Sequence, residues 1–462
     1  MPIEIRNPAA PDQIVATYDE TPDNALDEAV ARARAAQLKW AALPQPERGV
    51  MVTNFVNALE TRSEEIAKSI TKEMGKPLAE ARGEAMKALG EARASVARAN
   101  APIGEVFGSQ IPGTVSYSTR RPRGVILGIN PWNFPFSTPM RKAIPALVYG
   151  NAIILKPASL TPGAVALMAE VAASTLPENL VQAVIGRGAL GQALAEHRGI
   201  DAVSFTGSVE VGKRVATAAA GHLAEVSLEL GGKNPAILND ASDLERVLDQ
   251  ILLAAFAVCG QRCTAVSRVI VHRDIEEAVV SGLAARAAAM EPMDGMIEGA
   301  KIGPLASAQQ LEDVAGFVSR AVSDGAVIAV GGHRLESPGG GYFYAPTILR
   351  GVTRDMEIAR QEVFGPVLSL IAYDTVDEAL SIANDTAFGL SSCLYSERTD
   401  LVERFVAESE SGMLHVNAGS FPENHLPFVG IKDSSMGVGG SNGPSTIQFY
   451  TTEHAVYRRA CV

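Results

Sequence analysis

The sequence predicts an α/β protein of two doubly wound α/β domains plus a small β element, and three patterns carry that expectation. Short apolar runs, each followed by a helical segment, recur in two series; an Ala-, Glu- and Arg-rich region of helical periodicity precedes them; and one stretch alternates apolar with polar residues. The helical region runs from Asp23 to about Asn100, with Met51, Phe55 and Leu59, then Ile66 and Ile70, at the spacing of amphipathic helices. After the turn residues Pro102 and Gly104, the alternation over 115–120 predicts a strand with one covered face. The first series of runs is 125–129, 152–155, 180–184, 202–205 and 226–230; the second is 236–238, 267–271, 326–330 and 368–373. Parallel strands joined by crossover helices bind ligands at their carboxyl ends, so chemistry is expected in the loops that follow these runs. A glycine-rich segment, 437–443, precedes a last expected strand, 445–450, which would pair with the 115–120 strand or with a second subunit.

Composition narrows the function classes. A formal net charge of −12 with no run of Lys and Arg interleaved with aromatics argues against nucleic acid as a partner. The longest apolar stretch near the middle, 251–259, is far short of the ~20 residues that cross a bilayer, and residues 1–6 lack the apolar core of a signal peptide, so a cytoplasmic location is expected. Cys259, Cys263, Cys393 and Cys461 are too few and too unevenly spread for a disulfide framework, and reduced thiols are expected.

Cys263, in Gly260-Gln261-Arg262-Cys263-Thr264, has the small and polar neighbours that a nucleophilic thiolate needs after a buried apolar segment, whereas Cys259 reads as a buried structural thiol. No second Cys/His pair follows at zinc-ligand spacing, so no metal is expected. Attack on a carbonyl creates an oxyanion that requires a fixed donor. The loop Asn130-Pro131-Trp132-Asn133-Phe134-Pro135, stiffened by two prolines, offers Asn133; the alternative for that amide is turn stabilisation. Glu229, at a strand end before Gly231 and Gly232, is placed to activate water, or alternatively to pair with Lys233. A G-x-G-x-x-G paired with a following acidic residue, the full dinucleotide fingerprint, is not found. Gly207 and Ser208 nevertheless follow a strand, where a helix N-terminus presents N–H groups to a phosphate, and Gly186 and Lys156 also close strands.

With Pro131-Trp132-Asn133-Phe134-Pro135, Leu228-Glu229-Leu230-Gly231-Gly232-Lys233, Gly260-Gln261-x-Cys263 and Glu362-x-Phe364-Gly365-Pro366 in view, the chain resembles the NAD(P)-dependent aldehyde dehydrogenase superfamily over nearly its whole length, nearest to succinate-semialdehyde and lactaldehyde dehydrogenase-like members. The resemblance implies an aldehyde dehydrogenase-like fold with an NAD(P)-binding domain (1–102 and 123–231), a catalytic domain (232–436) and an oligomerisation element (103–122 and 437–462). It implies Cys263 as nucleophile, Asn133 with the Cys263 backbone N–H as oxyanion donors, and Glu229 as the base that hydrolyses a thioester. Lys156 would meet the adenosine ribose, Gly207 and Ser208 the pyrophosphate, and Glu362 and Phe364 the nicotinamide ribose and ring, with Ile129, Trp132, Ser159 and Gly186 completing the cofactor site. A homodimer or homotetramer is implied. A coenzyme A-acylating dehydrogenase is the enzymatic rival, disfavoured because such relatives generally lack the glutamate; a non-catalytic protein of the same fold is the rival from another class.

Departures from the family pattern carry information too. Val258 stands where many relatives have Asn. Ser159 replaces a glutamate that engages both ribose hydroxyls in NAD-selective relatives, so NADP should be accepted alongside NAD. Ser435-Met436-Gly437-Val438-Gly439 replaces the commoner Ser-Gly-x-Gly-Arg run. Arg141, eight residues after Asn133, matches an arginine that faces the substrate in succinate-semialdehyde and lactaldehyde dehydrogenases and would hold a distal carboxylate or hydroxyl. Ala257 occupies the place of a second substrate arginine, for which Arg262 is the substitute; Arg262 would alternatively lower the Cys263 pKa or make a surface ion pair. Phe136, and Phe428 in the 421–428 loop, would contact an apolar substrate chain or belong to the core.

Overall fold

The computed structural model describes residues 2–240, 242–438 and 441–459; Cys461 and Gly439 and Gly440 of the glycine-rich run lie outside the described residues. Each predicted run of the first series forms a strand: Val125–Ile129, Ala152–Lys156, Val181–Ala183, Ala202–Thr206 and Glu225–Glu229. Their apolar residues run continuously because a parallel sheet covered on both faces has no solvent side. The sheet order is Ser435–Gly437, Glu225–Glu229, Ala202–Thr206, Val125–Ile129, Ala152–Lys156, Val181–Ala183, parallel except for the first strand. Strand order reverses between Val125–Ile129 and Ala202–Thr206, which opens a crevice beyond Ile129 and Thr206.

The second sheet has seven strands, ordered Val327–Val330, Thr347–Arg350, Val367–Tyr373, Val266–His272, Asn234–Leu238, Ser391–Tyr395, Met413–Val416. All four runs of the second series lie in it, and its first strand is the antiparallel one. Each sheet sits in its own core. One core gathers residues from Leu26 to Leu230 with Val258, Phe449 and Tyr450; the other runs from Ala236 to Phe405. The helical N-terminal region forms Leu26–Ala41, Gln45–Thr61, Ser63–Met74 and Leu78–Val96. Phe55, Leu59, Ile66 and Ile70 are fully buried in the first core, and Met51 packs against it, as their spacing requires.

A three-stranded antiparallel element joins Thr114–Pro122 to Val106–Phe107 and to Thr451–Arg459. The strand expected over 445–450 is corrected here: Thr446–Tyr450 is a short helix whose Phe449 and Tyr450 plug the first core, and the strand begins one residue later. Apolar side chains spaced to alternate on a strand were pulled into a helical turn by that core. Among the described residues, no helix is long and apolar enough to cross a membrane.

One buried carboxyl ties two helices and an N-terminal strand together. Glu73, in Ser63–Met74, accepts from Tyr18 Oη, at the end of the strand Ala10–Tyr18, at 2.9 Å and from the Gly163 N–H, at the start of the helix Gly163–Thr175, at 3.0 Å. Burial pushes it up to about 7, against the hydrogen bonds that favour its charge. A carboxyl raised in the folded state contributes stability below its unfolded pKa, and that contribution is lost as pH rises toward 7. Glu73→Gln keeps an acceptor but never ionises. Its melting temperature relative to the parent should therefore climb by a few degrees between pH 4.5 and 7.5 in thermal scans; a flat difference would refute the buried titration.

Candidate active site

Two loops meet over the crevice, one from each sheet. The strand Val125–Ile129 leads through Asn130–Phe136 into the helix Ser137–Val148, and Asn133 lies in that loop, 5% exposed. From the other side, the helix Leu244–Phe256 ends in a tight turn before the strand Val266–His272, and Cys263 sits in that connection. The loops are tied directly: Asn133 Nδ2 donates to the Gln261 carbonyl at 2.9 Å, and an amide nitrogen has a second hydrogen to offer. Asn234 Nδ2 holds the Cys263 carbonyl at 2.7 Å.

Glycines of the motifs permit this closeness. A Cβ on Gly260, at φ +69°, would lie 2.1 Å from the Gly365 carbonyl. One on Gly232 would lie 2.5 Å from the Cys263 carbonyl, and one on Gly231 2.3 Å from a Glu362 oxygen. Val258 and Cys259 carry no such licence, yet both are left-handed (φ 57°, ψ 34° and φ 55°, ψ 36°). That conformation costs about 1–2 kcal/mol per residue for an L side chain.

A cavity of about 760 Å³ opens between the loops. Cys263, Asn133, Glu229, Ile129, Trp132, Lys156, Ser159, Gly207, Ser208, Glu362, Phe364, Arg141, Arg262 and Phe428 all line it, so the structure gathers nearly every residue singled out in the sequence. Two are not on its wall. Phe136 is fully buried in the first core, the core alternative for that ring; Phe134 and Ser137 line the cavity instead, because the turn into the helix directs Phe136 inward. Gly186 is likewise off the wall, its place taken by Gly188 and Gly191.

Glu229 closes its strand with Oε2 accepting from Thr206 Oγ1 at 3.4 Å, while Oε1 is buried without a hydrogen-bond partner. Among the described residues it makes no ion pair with Lys233, which removes that alternative. Lys142 donates to Thr206 Oγ1 at 2.9 Å, making a chain Lys142–Thr206–Glu229, and burial lowers its amine to about 7. The Cys263 thiol is pushed up to about 12, first by desolvation and then by Glu362 and Glu229. Arg141 and Arg262 pull in the opposite direction, as expected of Arg262, but they do not prevail. Burial therefore favours the neutral thiol over the thiolate.

Arg141 is held by a fork, Nε and Nη2 donating to both Glu91 oxygens at 2.7 and 2.8 Å, and its guanidinium lies 5.0 Å from the centre of the Phe428 ring. Arg262 is no surface ion pair: it is 6% exposed, donates from Nη2 to Thr264 Oγ1 and the Ser420 carbonyl, and covers the Phe421 ring at 4.3 Å. Sequence reasoning missed a set of charges on one helix, Leu78–Val96. Glu80, Glu84, Lys87 and Glu91 recur at helical spacing and face inward. Glu84 accepts from the Phe136 and Ser137 N–H groups at 3.0 Å each and pairs with Lys76, which donates to the Asn133 carbonyl at 2.8 Å. Glu80 binds the Val258 N–H with both oxygens, at 3.0 and 3.1 Å. The i, i+4, i+7, i+11 spacing was the available signal, hidden because charged stripes usually face water.

The crevice also fits a dinucleotide. Gly207 and Ser208 precede the twelve-residue helix Val209–Ala220, whose N–H groups favour a phosphate. Lys156 and Ser159 stand at the end of Ala152–Lys156, one strand beyond Val125–Ile129, and Trp132 and Phe364 meet edge to face at 5.4 Å beside Glu362. Burial raises the Glu362 carboxyl to about 7 while the Gly232 N–H at 3.0 Å favours its charge. Among the described residues, no cluster of His, Cys, Asp and Glu could hold a metal ion.

The model of the aldehyde dehydrogenase family matches residues 1–456. An alpha-ketoglutaric semialdehyde dehydrogenase of Bacillus subtilis is 37% identical over 460 residues, covering 98% of this chain and 94% of that protein. The crystal structure of lactaldehyde dehydrogenase from Escherichia coli superposes with a TM-score of 0.96 at 33% identity, covering 100% of this chain and 96% of that one. A betaine aldehyde dehydrogenase variant from Staphylococcus aureus, in complex with NAD+, superposes with a TM-score of 0.95 at 28% identity, covering 99% and 93%. The full-length match, joined to a site that carries the family's four motifs around one crevice, places this chain in the aldehyde dehydrogenase family, as an NAD(P)-dependent aldehyde dehydrogenase.

Proposed function

We propose that the enzyme oxidises a small semialdehyde bearing a remote carboxylate to the corresponding acid, through a thioester on Cys263. The observation that carries this reading is the convergence of Cys263, Asn133 and Glu229 on one cavity whose remaining wall holds Lys87, Arg141 and Arg262. Cys263 Sγ, once deprotonated, attacks the aldehyde carbon, and Asn133 Nδ2 with the Cys263 N–H stabilises the oxyanion. A nicotinamide dinucleotide bound along Lys156, Ser159, Gly207, Ser208, Glu362 and Phe364 supplies the hydride acceptor. Ser159 puts no negative charge against a 2′-phosphate, which supports use of NADP as well as NAD. Glu229 then takes a proton from water, whose oxygen attacks the thioester carbon; the C–S bond breaks and the acid leaves. Its unpartnered Oε1 supports that role.

The wall carries Lys87, Arg141, Lys156 and Arg262 beside Glu80, Glu84, Glu229 and Glu362, so the preference for an anionic substrate rests on where its cations stand rather than on net charge. Lys76, Arg141 and Arg262 already cover the Phe134, Phe428 and Phe421 rings, so the aromatic faces that would receive a quaternary ammonium are occupied by the protein's own cations. A hydroxyaldehyde is the second reading, since a guanidinium also hydrogen-bonds a hydroxyl. The exposed apolar side chains of the three-stranded element, Val106, Phe107, Val115 and Tyr457, support a homo-oligomer built through residues 103–122 and 437–462. The buried free thiols Cys259 and Cys393 support work in the reducing cytoplasm.

Cys263→Ala should abolish aldehyde-dependent NAD(P)H formation while fluorescence titration still detects cofactor binding; retained turnover would sink the assignment. Glu229→Gln should slow steady-state turnover about 100-fold and leave the first burst of reduced cofactor nearly intact, so an unchanged steady state would count against its role as base. Lys87 is lowered to about 8 by burial and then by Arg141. Its charge is present below that pH and lost above it. KM for succinate semialdehyde should therefore rise severalfold between pH 7 and 9, the rise should vanish in Lys87→Met, and an uncharged aldehyde of similar length should show neither effect.

A further inference from the structure

The proposed chemistry does not use the strained pair Val258–Cys259, yet that pair occupies a singular place in the fold. Val258 is packed into the first core, among residues that otherwise come from positions 26–230 and from Phe449 and Tyr450, while the adjacent Cys259 is packed into the second. Two consecutive left-handed residues turn neighbouring side chains into different cores, and neither is a glycine. Valine is the less suited of the two, because its branched Cβ crowds the backbone at positive φ.

Something must hold the pair there, and the one acceptor on the Val258 N–H is Glu80, reaching across from Leu78–Val96 with both carboxylate oxygens. From Val258 the connection continues to the chemistry. The Val258 carbonyl accepts from the Gln261 backbone N–H at 3.0 Å and from Gln261 Nε2 at 3.1 Å. Gln261 Oε1 accepts from the Ala306 N–H at 2.9 Å, and the Gln261 carbonyl is the acceptor for Asn133 Nδ2. Cys263 follows two residues later. Burial raises the Glu80 carboxyl, opposed by the Val258 N–H and then by Lys76 and Arg262.

We propose that Glu80 is a positioning residue: by clamping the Val258 N–H it holds the left-handed Val258–Cys259 turn and so sets the alignment of Cys263 with Asn133. The inference rests on the reading of Cys263 as nucleophile and Asn133 as oxyanion donor. Strain at Val258 is the device that makes an anchor necessary, and the carboxylate on a helix shared with the Asn133 support puts both loops on one scaffold.

The test measures kcat, KM and the burst of reduced cofactor for the full-length enzyme and for Glu80→Ala, Asn133→Ala, the pair combined, and Glu80→Ala combined with Val258→Asn, with circular dichroism on each. Glu80→Ala should lower kcat and the burst rate tenfold or more with KM within about threefold. Asn133→Ala alone should cost about 100-fold, but less than tenfold more once Glu80 is gone, because the donor is already misaligned. Asn tolerates the left-handed region, so Val258→Asn should return the Glu80→Ala enzyme to within about threefold of the parent rate. If Glu80→Ala fails to fold, Glu80→Gln, which keeps one acceptor oxygen, should show the same kcat-only loss on a smaller scale and the same rescue. A Glu80 variant with the parent kcat, losses that multiply fully with Asn133→Ala, or absence of rescue by Val258→Asn would each overturn the proposal. Turnover by Cys263→Ala would instead overturn the reading beneath it.

Discussion

The ion pair Lys76–Glu84 is buried almost completely, with the two side chains 0% and 1% exposed. Charges taken out of water so fully are retained only with good geometry and further hydrogen bonds, and this pair has both. Lys76 also donates to the Asn133 carbonyl, and Glu84 also accepts the first N–H groups of the helix that follows. A negative charge at that helix start is favoured by the helix dipole as well. The loop carrying Asn133 is therefore fixed from beneath. Because Asn133 Nδ2 in turn binds the Gln261 carbonyl, the second loop takes its place from the first. Removing either member of the pair would leave an unpaired buried charge at the point where both halves of the site are referenced, so geometry rather than net stability is what the pair contributes.

Desolvation is the second theme of the site. Burial raises the Cys263 thiol and the Glu362 carboxyl on the cavity wall and lowers the amines of Lys142 and Lys233 behind it. All four shifts favour the neutral form, which is what a low-dielectric crevice between two cores does to any charge not well paired. The exceptions prove the mechanism: Arg141 stays firmly charged because the Glu91 fork compensates its burial. One cavity thus holds a guanidinium kept charged by its carboxylate partner and a thiol whose neutral form burial favours.

The fold was read well where a single physical signal dominates. Short apolar runs bounded by turns favour strands, and both series form as expected, with Val327–Val330 an edge strand whose Val327 and Ile328 are exposed. The strand Thr347–Arg350 and the pair Ser391–Tyr395 and Met413–Val416 escaped notice because their neighbours, rather than their own composition, commit them to the sheet. Residues 445–450 had an apolar pattern that suits strand and helix alike, and the open space in the first core chose the helix. Phe136 and Phe134 differ only in which way a turn directs them.

What the amino-acid order determined by itself is the chemistry on offer. A thiol after Gly260-Gln261, an amide in a proline-stiffened loop, a glutamate before paired glycines and glycines just past strand ends are local facts, and local facts are legible in a chain. The tertiary structure alone decided which groups act together. Glu80, Glu84, Lys87 and Glu91 look in sequence like the wet face of a helix, and only packing of that helix against the Asn133 loop makes them the inner wall and supports of the site. Val258 reads as an ordinary apolar residue until two cores compete for it and its neighbour. The reason is the same in each case: burial and backbone strain are properties of surroundings contributed by distant residues, Glu80 lying 178 positions from Val258 and Pro422 335 from Lys87, and no local pattern encodes them.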